Sequence, residues 1–146
     1  NIADILLCSI EDITPLCERR GIVLESDIPE GLPPITGDRE SLVRVFVNII
    51  GNATKYTPAG GTISVRAQHD DYHVHVAISD TGRGIPKDKI PFIFEPFYRV
   101  KERGEHIEGS GLGLTFCKRI MDAHGGKIEV SSEEGRGTTF SLRFPR

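Results

Sequence analysis

Asn48, Asn52 and Lys55 fall at i, i+4 and i+7 of one amphipathic segment, so they project from the same side of a helix, away from most of its apolar stripe. That stripe is Leu42, Val45, Phe46, Ile49, Ile50 and Ala53. An amide oxygen is a hard, neutral ligand of the kind Mg²⁺ accepts alongside waters and phosphate oxygens, and a lysine supplies a point charge for phosphate. The same three residues also suit an ordinary solvated helix face, and the helix alone does not separate the two readings.

A second group ends a strand. Val74, Val76, Ile78 and Asp80 alternate in phase, which turns the Asp80 carboxylate toward the side that buries the apolar residues. A buried carboxylate needs a donor, and an adenine amino group is a suitable one. Thr81-Gly82-Arg83-Gly84-Ile85 follows, with two glycines that permit a sharp turn and close approach of backbone to a ligand. The competing reading is an aspartate that caps its own turn. A third group, Gly109-Ser110-Gly111-Leu112-Gly113-Leu114, opens a helix, where unpaired N–H groups and the helix dipole favour an anion such as a triphosphate. Its spacing fits neither the P-loop nor the dinucleotide fingerprint. Thr138, in phase with Phe140, Leu142 and Phe144, reaches the same interior as Asp80, although threonine in a strand needs no ligand to be there.

The elements that must hold these groups follow from periodicity. Residues 2–20 suit a helix, with Pro15 as a potential break and Gly21 as its end. A strand over 22–28 and a Pro/Gly-rich loop precede Asp38, which is placed to cap the helix that stops before Pro58. Alternation predicts antiparallel strands over 62–67 and 73–80, a loop from 82 to 104 with a short helix near 87–92, and a helix over 112–123 stopped by Gly125 and Gly126. A final hairpin pairs 127–132 with 138–144. The pattern predicts one domain, an α/β two-layer arrangement with a mixed, largely antiparallel sheet and helices on one face, with 1–20 readable as a linking helix.

Composition narrows the function classes. A net charge of −3 over 146 residues, with no long basic run, gives no drive toward nucleic acid. Cys8, Cys17 and Cys117 are an odd count without CxxC spacing, which favours reduced thiols in a cytosolic setting over a disulfide framework or zinc site. No stretch is long and apolar enough to span a bilayer. The first residue is Asn1 rather than Met, which suggests an excerpt with any sensor or membrane segment upstream.

Taken in order, the motifs resemble those of the histidine kinase branch of the superfamily that also holds DNA gyrase, the ATP-dependent heat-shock chaperone and the mismatch-repair ATPase. Asn48 to Pro58 looks like the N box, Asp80 to Ile85 the first glycine box, Phe94 to Phe97 the F box, and Gly109 to Leu114 the second glycine box. The resemblance implies the Bergerat fold, a sandwich of mixed sheet and three helices, with ATP under a lid between the F box and the second glycine box. It implies that Asn52 binds Mg²⁺ with help from Asn48, that Lys55 touches phosphate, that Tyr56 lies against adenine, that Asp80 reads the adenine amino group, and that Arg99 approaches the γ-phosphate, with Lys101 in the same loop. Arg99 and Lys101 otherwise read as solvated charges. Arg44 departs from the family, which often has Gln or Glu there.

ATP-hydrolysing members of the superfamily carry a glutamate one turn before the metal asparagine; here that position is Asn48, and an amide cannot accept the proton. The expectation is slow hydrolysis and transfer to a histidine on a separate helical dimerisation domain, with a response regulator downstream, a homodimeric parent protein and a monomeric fragment. His69, His73, His75, His106 and His124 all lie outside any phosphoacceptor motif, so the chain is not expected to label itself. A serine-directed relative of the anti-sigma-factor kinase type and a non-catalytic nucleotide-binding module are the alternatives.

Overall fold

The computed structural model describes residues 1–95 and 113–146. Helix α1 (Ile2–Arg20) starts under an Asn1 cap, whose side chain accepts from the Ala3 N–H at 2.8 Å, and stops at Gly21 in the left-handed region, φ 69°. Pro15 does not break it. Buried Ile13 and Cys17 flank the proline and anchor both sides to the core, which holds the helix through the missing N–H. The Thr14 hydroxyl just before it donates back to the Ile10 carbonyl at 2.7 Å.

Strand β1 (Val23–Asp27) leads through a loop to α2 (Arg39–Tyr56), where Asp38 caps the helix by accepting from the Ser41 N–H at 3.1 Å. Strands β2 (Thr62–His69) and β3 (His73–Asp80) form the expected hairpin, and β2 runs two residues further than alternation suggested because His69 still pairs with Val74. A 3₁₀ turn at Ile90–Phe92 occupies part of the predicted short helix. Helix α3 (Gly113–Ala123), β4 (Lys127–Glu133) and β5 (Gly137–Pro145) complete the described chain.

The sheet order is β1-β2-β3-β5-β4. β1 and β2 are parallel, joined by the α2 crossover, and the remaining pairs are antiparallel, so the mixed, largely antiparallel sandwich holds. The period-two residues Ile63, Val65, Val74, Val76, Ile78, Phe140, Leu142 and Phe144 are buried against Leu42, Val45, Phe46, Ile49 and Ile50 of α2. Phe46 and Phe144 meet with ring centroids 6.0 Å apart. Each such side chain contributes about 1.5–3 kcal/mol by leaving water, so this interface fixes which face of α2 is turned away from the sheet. α1 supplies Ile2, Ile5 and Leu6 to the same core.

The helix ends are tied to one another. His124 accepts the Asp38 N–H on Nε2 at 3.0 Å, which leaves Nδ1 to donate to the Ile120 carbonyl at 2.7 Å. It joins the C-terminus of α3 to the N-terminus of α2. Arg44, the departure from the family pattern, lies over the Phe116 ring at 4.4 Å and clasps the same two helices.

Candidate functional site

Because Ile49, Ile50 and Ala53 are drawn into the core, Asn48 and Asn52 come to lie half-buried on the flank of α2, one turn apart, with Lys55 exposed beyond them. The first described residue of the second glycine motif meets this flank. A β-carbon on Gly113 would sit 3.7 Å from both Cγ and Oδ1 of Asn48. The Asn48 side chain also bonds Cys117, one turn into α3, and the Cys117 thiol donates to the Val45 carbonyl at 3.6 Å. Burial pushes that thiol up to about 12, so it is a neutral packing group under the amide and no nucleophile. Leu114 packs partly buried on the core, and the Thr115 hydroxyl donates to the Phe94 carbonyl at 2.8 Å, pinning α3 to the first residue of the F box. Phe94 in turn stands edge-on to Phe140, centroids 6.4 Å apart.

About 12 Å further along α2, at its C-terminus, the aspartate turn closes on the helix. Gly82 packs so tightly there that a β-carbon would lie 2.5 Å from the Tyr56 carbonyl oxygen. Arg83 places its guanidinium 4.7 Å from the Tyr56 ring centroid. Gly84 has φ +75°, and a β-carbon on it would run into the Glu133 carbonyl, so both conformation and space demand glycine.

Asp80 caps its own turn and also faces the interior. Its Oδ1 accepts from the Gly82 N–H at 2.8 Å, the self-capping turn, while the side chain is turned inward from β3 and half-buried. Burial raises its pKa above the ordinary value, and the backbone N–H groups of Gly82 and Thr138 act against that rise. Each carboxylate oxygen has two lone pairs, so these contacts leave acceptor capacity for a further donor. Thr138 is the cross-strand partner of Asp80 and is buried, with its hydroxyl 2.8 Å from that of Ser132.

Ser132 is a residue that sequence reasoning misses. Its hydroxyl accepts from the Ile85 N–H at 2.7 Å and donates to the Gly137 carbonyl at 3.0 Å, so it braces the glycine turn against the β4–β5 hairpin. The available signal is its register, directly across from Thr138. Among the expected site residues, Asn48, Asn52, Lys55, Tyr56, Asp80, Gly82, Gly84, Ile85, Gly113, Leu114 and Thr138 lie along the C-terminal half of α2 and the elements that abut it. Arg99, Lys101, Gly109, Ser110, Gly111 and Leu112 lie outside the described residues. No helix of the described residues is long and apolar enough to cross a membrane.

Comparison with known proteins agrees with this fold. The chain is 46% identical over 123 residues to the adaptive-response sensory kinase SasA of Synechococcus elongatus, an alignment covering 84% of this chain and 32% of the relative. It thus spans about a third of the length of the curated relatives it matches. Among solved structures, full-length ShkA in complex with AMPPNP superposes with a TM-score of 0.87 at 32% identity, covering 99% of this chain and 30% of that one. The mycobacterial sensor histidine kinase MprB gives 0.84 at 31% identity, covering 99% and 95%. Residues 37–146 match the family model described as histidine kinase-, DNA gyrase B-, and HSP90-like ATPase, a family that implies ATP binding. The chain belongs to that ATPase family, with the fold of histidine kinase catalytic domains.

Proposed function

We propose that this chain is the catalytic domain of a sensor histidine kinase, which holds Mg-ATP and donates the γ-phosphoryl group to a histidine on a separate helical dimerisation domain. The observation that carries the reading is the docking of two glycine-bearing elements on one helix: Gly82 on the Tyr56 carbonyl and Gly113 on Asn48. That full-length ShkA, 32% identical over the matched part, was solved as a complex with AMPPNP supports a nucleotide-binding role. Asp80 accepts the adenine amino group, Tyr56 lies against the ring, and Thr138 with the Gly82–Ile85 turn lines the base end. The backbone N–H groups of the second glycine motif, Gly109 to Leu114, receive the phosphates, and Lys55, Arg99 and Lys101 add positive charge there.

The half-buried amides of Asn48 and Asn52 fit Mg²⁺, which takes hard oxygen ligands and keeps several waters. Held by these two amides, the ion would supply positive charge to offset that of the phosphates. Asn48 occupies the position from which a glutamate would activate water, and its amide has no basic site, so transfer outruns hydrolysis. Its bond to Cys117 holds it as a positioning group. A response regulator receives the phosphoryl group next, and the parent protein is a homodimer.

The test is phosphotransfer in trans. Tag-free chain with Mg-[γ-³²P]ATP is mixed with a helical-hairpin domain carrying a phosphoacceptor histidine. Acid-labile, base-stable label on that domain, with none on the chain itself, is the expected result. Acid-stable label would assign the serine-directed class, and saturable ATP binding without any transfer would assign a nucleotide-sensing module.

A further inference from the structure

The β2–β3 turn carries a cluster of metal-ligating side chains at the other end of β3 from Asp80. Asp70, His73 and His75 each place a ligand atom within 4.8 Å of the other two. His73 and His75 are two apart on one strand and therefore share a face, the one turned away from the helices. Asp70 Oδ2 is 2.9 Å from His75 Nε2, and Oδ1 is 3.9 Å from His73 Nδ1. A tetrahedral ion with ligand bonds of about 2.0–2.2 Å needs its ligands about 3.3–3.5 Å apart, so adjustments of up to about 1.5 Å close the shell.

We propose that Asp70, His73 and His75 form a binding site for a divalent late transition-metal ion, Zn²⁺ foremost. Two imidazoles and one carboxylate are a donor set that such ions accept, with the fourth position left to water. The turn presets the carboxylate: Asp70 Oδ1 accepts from the N–H groups of Tyr72 and His73, both at 2.8 Å, and its own carbonyl accepts from Arg146 at 2.7 Å. The side chains are 35–52% exposed, which gives an ion a direct path from solvent. Binding replaces the present Asp70–His75 hydrogen bond with a metal bridge and so clamps the hairpin end. At about 3.3 Å per residue the cluster stands about 17–23 Å from Asp80, so the site is independent of the nucleotide. Mg²⁺, which prefers an all-oxygen octahedron, does not compete for it.

The test uses tag-free protein in millimolar Mg²⁺ with and without ATP. Titration with Zn²⁺ followed by calorimetry should show a single saturable equivalent, unaffected by the nucleotide, together with a rise in Tm. His73→Ala and His75→Ala should each weaken it at least about tenfold, whereas His69→Ala and His124→Ala should not. Asp70→Asn keeps a carbonyl acceptor for the turn but loses the charged ligand, so it should fold with at most a small fall in Tm in the absence of Zn²⁺ and still bind more weakly. X-ray absorption should report nitrogen and oxygen neighbours at about 2.0–2.2 Å. Absence of saturable binding, or full binding by both the His73 and His75 variants, would overturn the assignment.

Discussion

Asp80→Asn separates the proposed adenine-reading role of this side chain from its structural one. In the folded chain Asp80 Oδ1 already accepts the Gly82 N–H at 2.8 Å, and an asparagine can keep that bond with its amide oxygen, so the turn survives. The amide then has only an NH₂ group to turn toward the adenine amino group, so donor meets donor. A hydrogen bond to a charged group is worth about 1.5–3 kcal/mol, and the ATP Kd should therefore rise about tenfold to a hundredfold. GTP, which offers a carbonyl oxygen where ATP offers an amine, should gain relative to ATP.

Stability should move the other way. Burial raises the folded-state pKa above the ordinary 3.8, so the native state binds a proton more tightly than the unfolded chain. The resulting stability is fully present below 3.8 and is lost as pH rises through the folded value. The substituted amide has no such proton to lose, so the Tm of the variant relative to the parent should rise over that window and stay level toward neutral pH. Competition calorimetry with ATP and GTP, beside melting curves across pH, reads both effects. An unchanged ATP affinity in a folded variant would refute the assignment of Asp80 to the base.

Three further outcomes are expected. Gly84→Ala forces an L-residue to φ +75° with its β-carbon against the Glu133 carbonyl, and should cost about 1–3 kcal/mol in chemical denaturation while weakening ATP binding. Thiol titration of native protein with a disulfide reagent should modify Cys8 readily and spare the buried Cys17 and Cys117, whose pKa values burial raises; all three should react in denaturant. Asp38→Ala removes the α2 cap and should lower Tm by about 2–5 °C at neutral pH. Hydrogen bonds from Ser41 lower the Asp38 pKa, so the charged cap's benefit is present above 3.8 and fades as pH falls through the folded value, which melting curves of both proteins would follow.

Periodicity and end signals made most of the fold readable in advance. The alternation of Val74, Val76 and Ile78 leaves only one face for the core, and Asp38 and Gly21 mark helix ends through purely local chemistry. The helix over 2–20 holds through its potential break at Pro15, because the proline's cost is local while the anchoring of Ile13 and Cys17 is not. The tie between His124 and Asp38 was not readable in advance, since the two lie 86 residues apart. The orientation of Asn48 and Asn52 beside each other, the inward phase of Asp80 and the glycine motifs were determined by the chain's own spacing, because helix and strand periods are properties of the backbone. What only the tertiary structure decided is which of these groups touch. The packing of Gly82 on Tyr56, the bracing of Ile85 by Ser132, the seating of Gly113 on Asn48 and the gathering of Asp70 with His75 depend on strand order and helix packing. Those are set by burial summed over the whole chain, and no local run of residues encodes them.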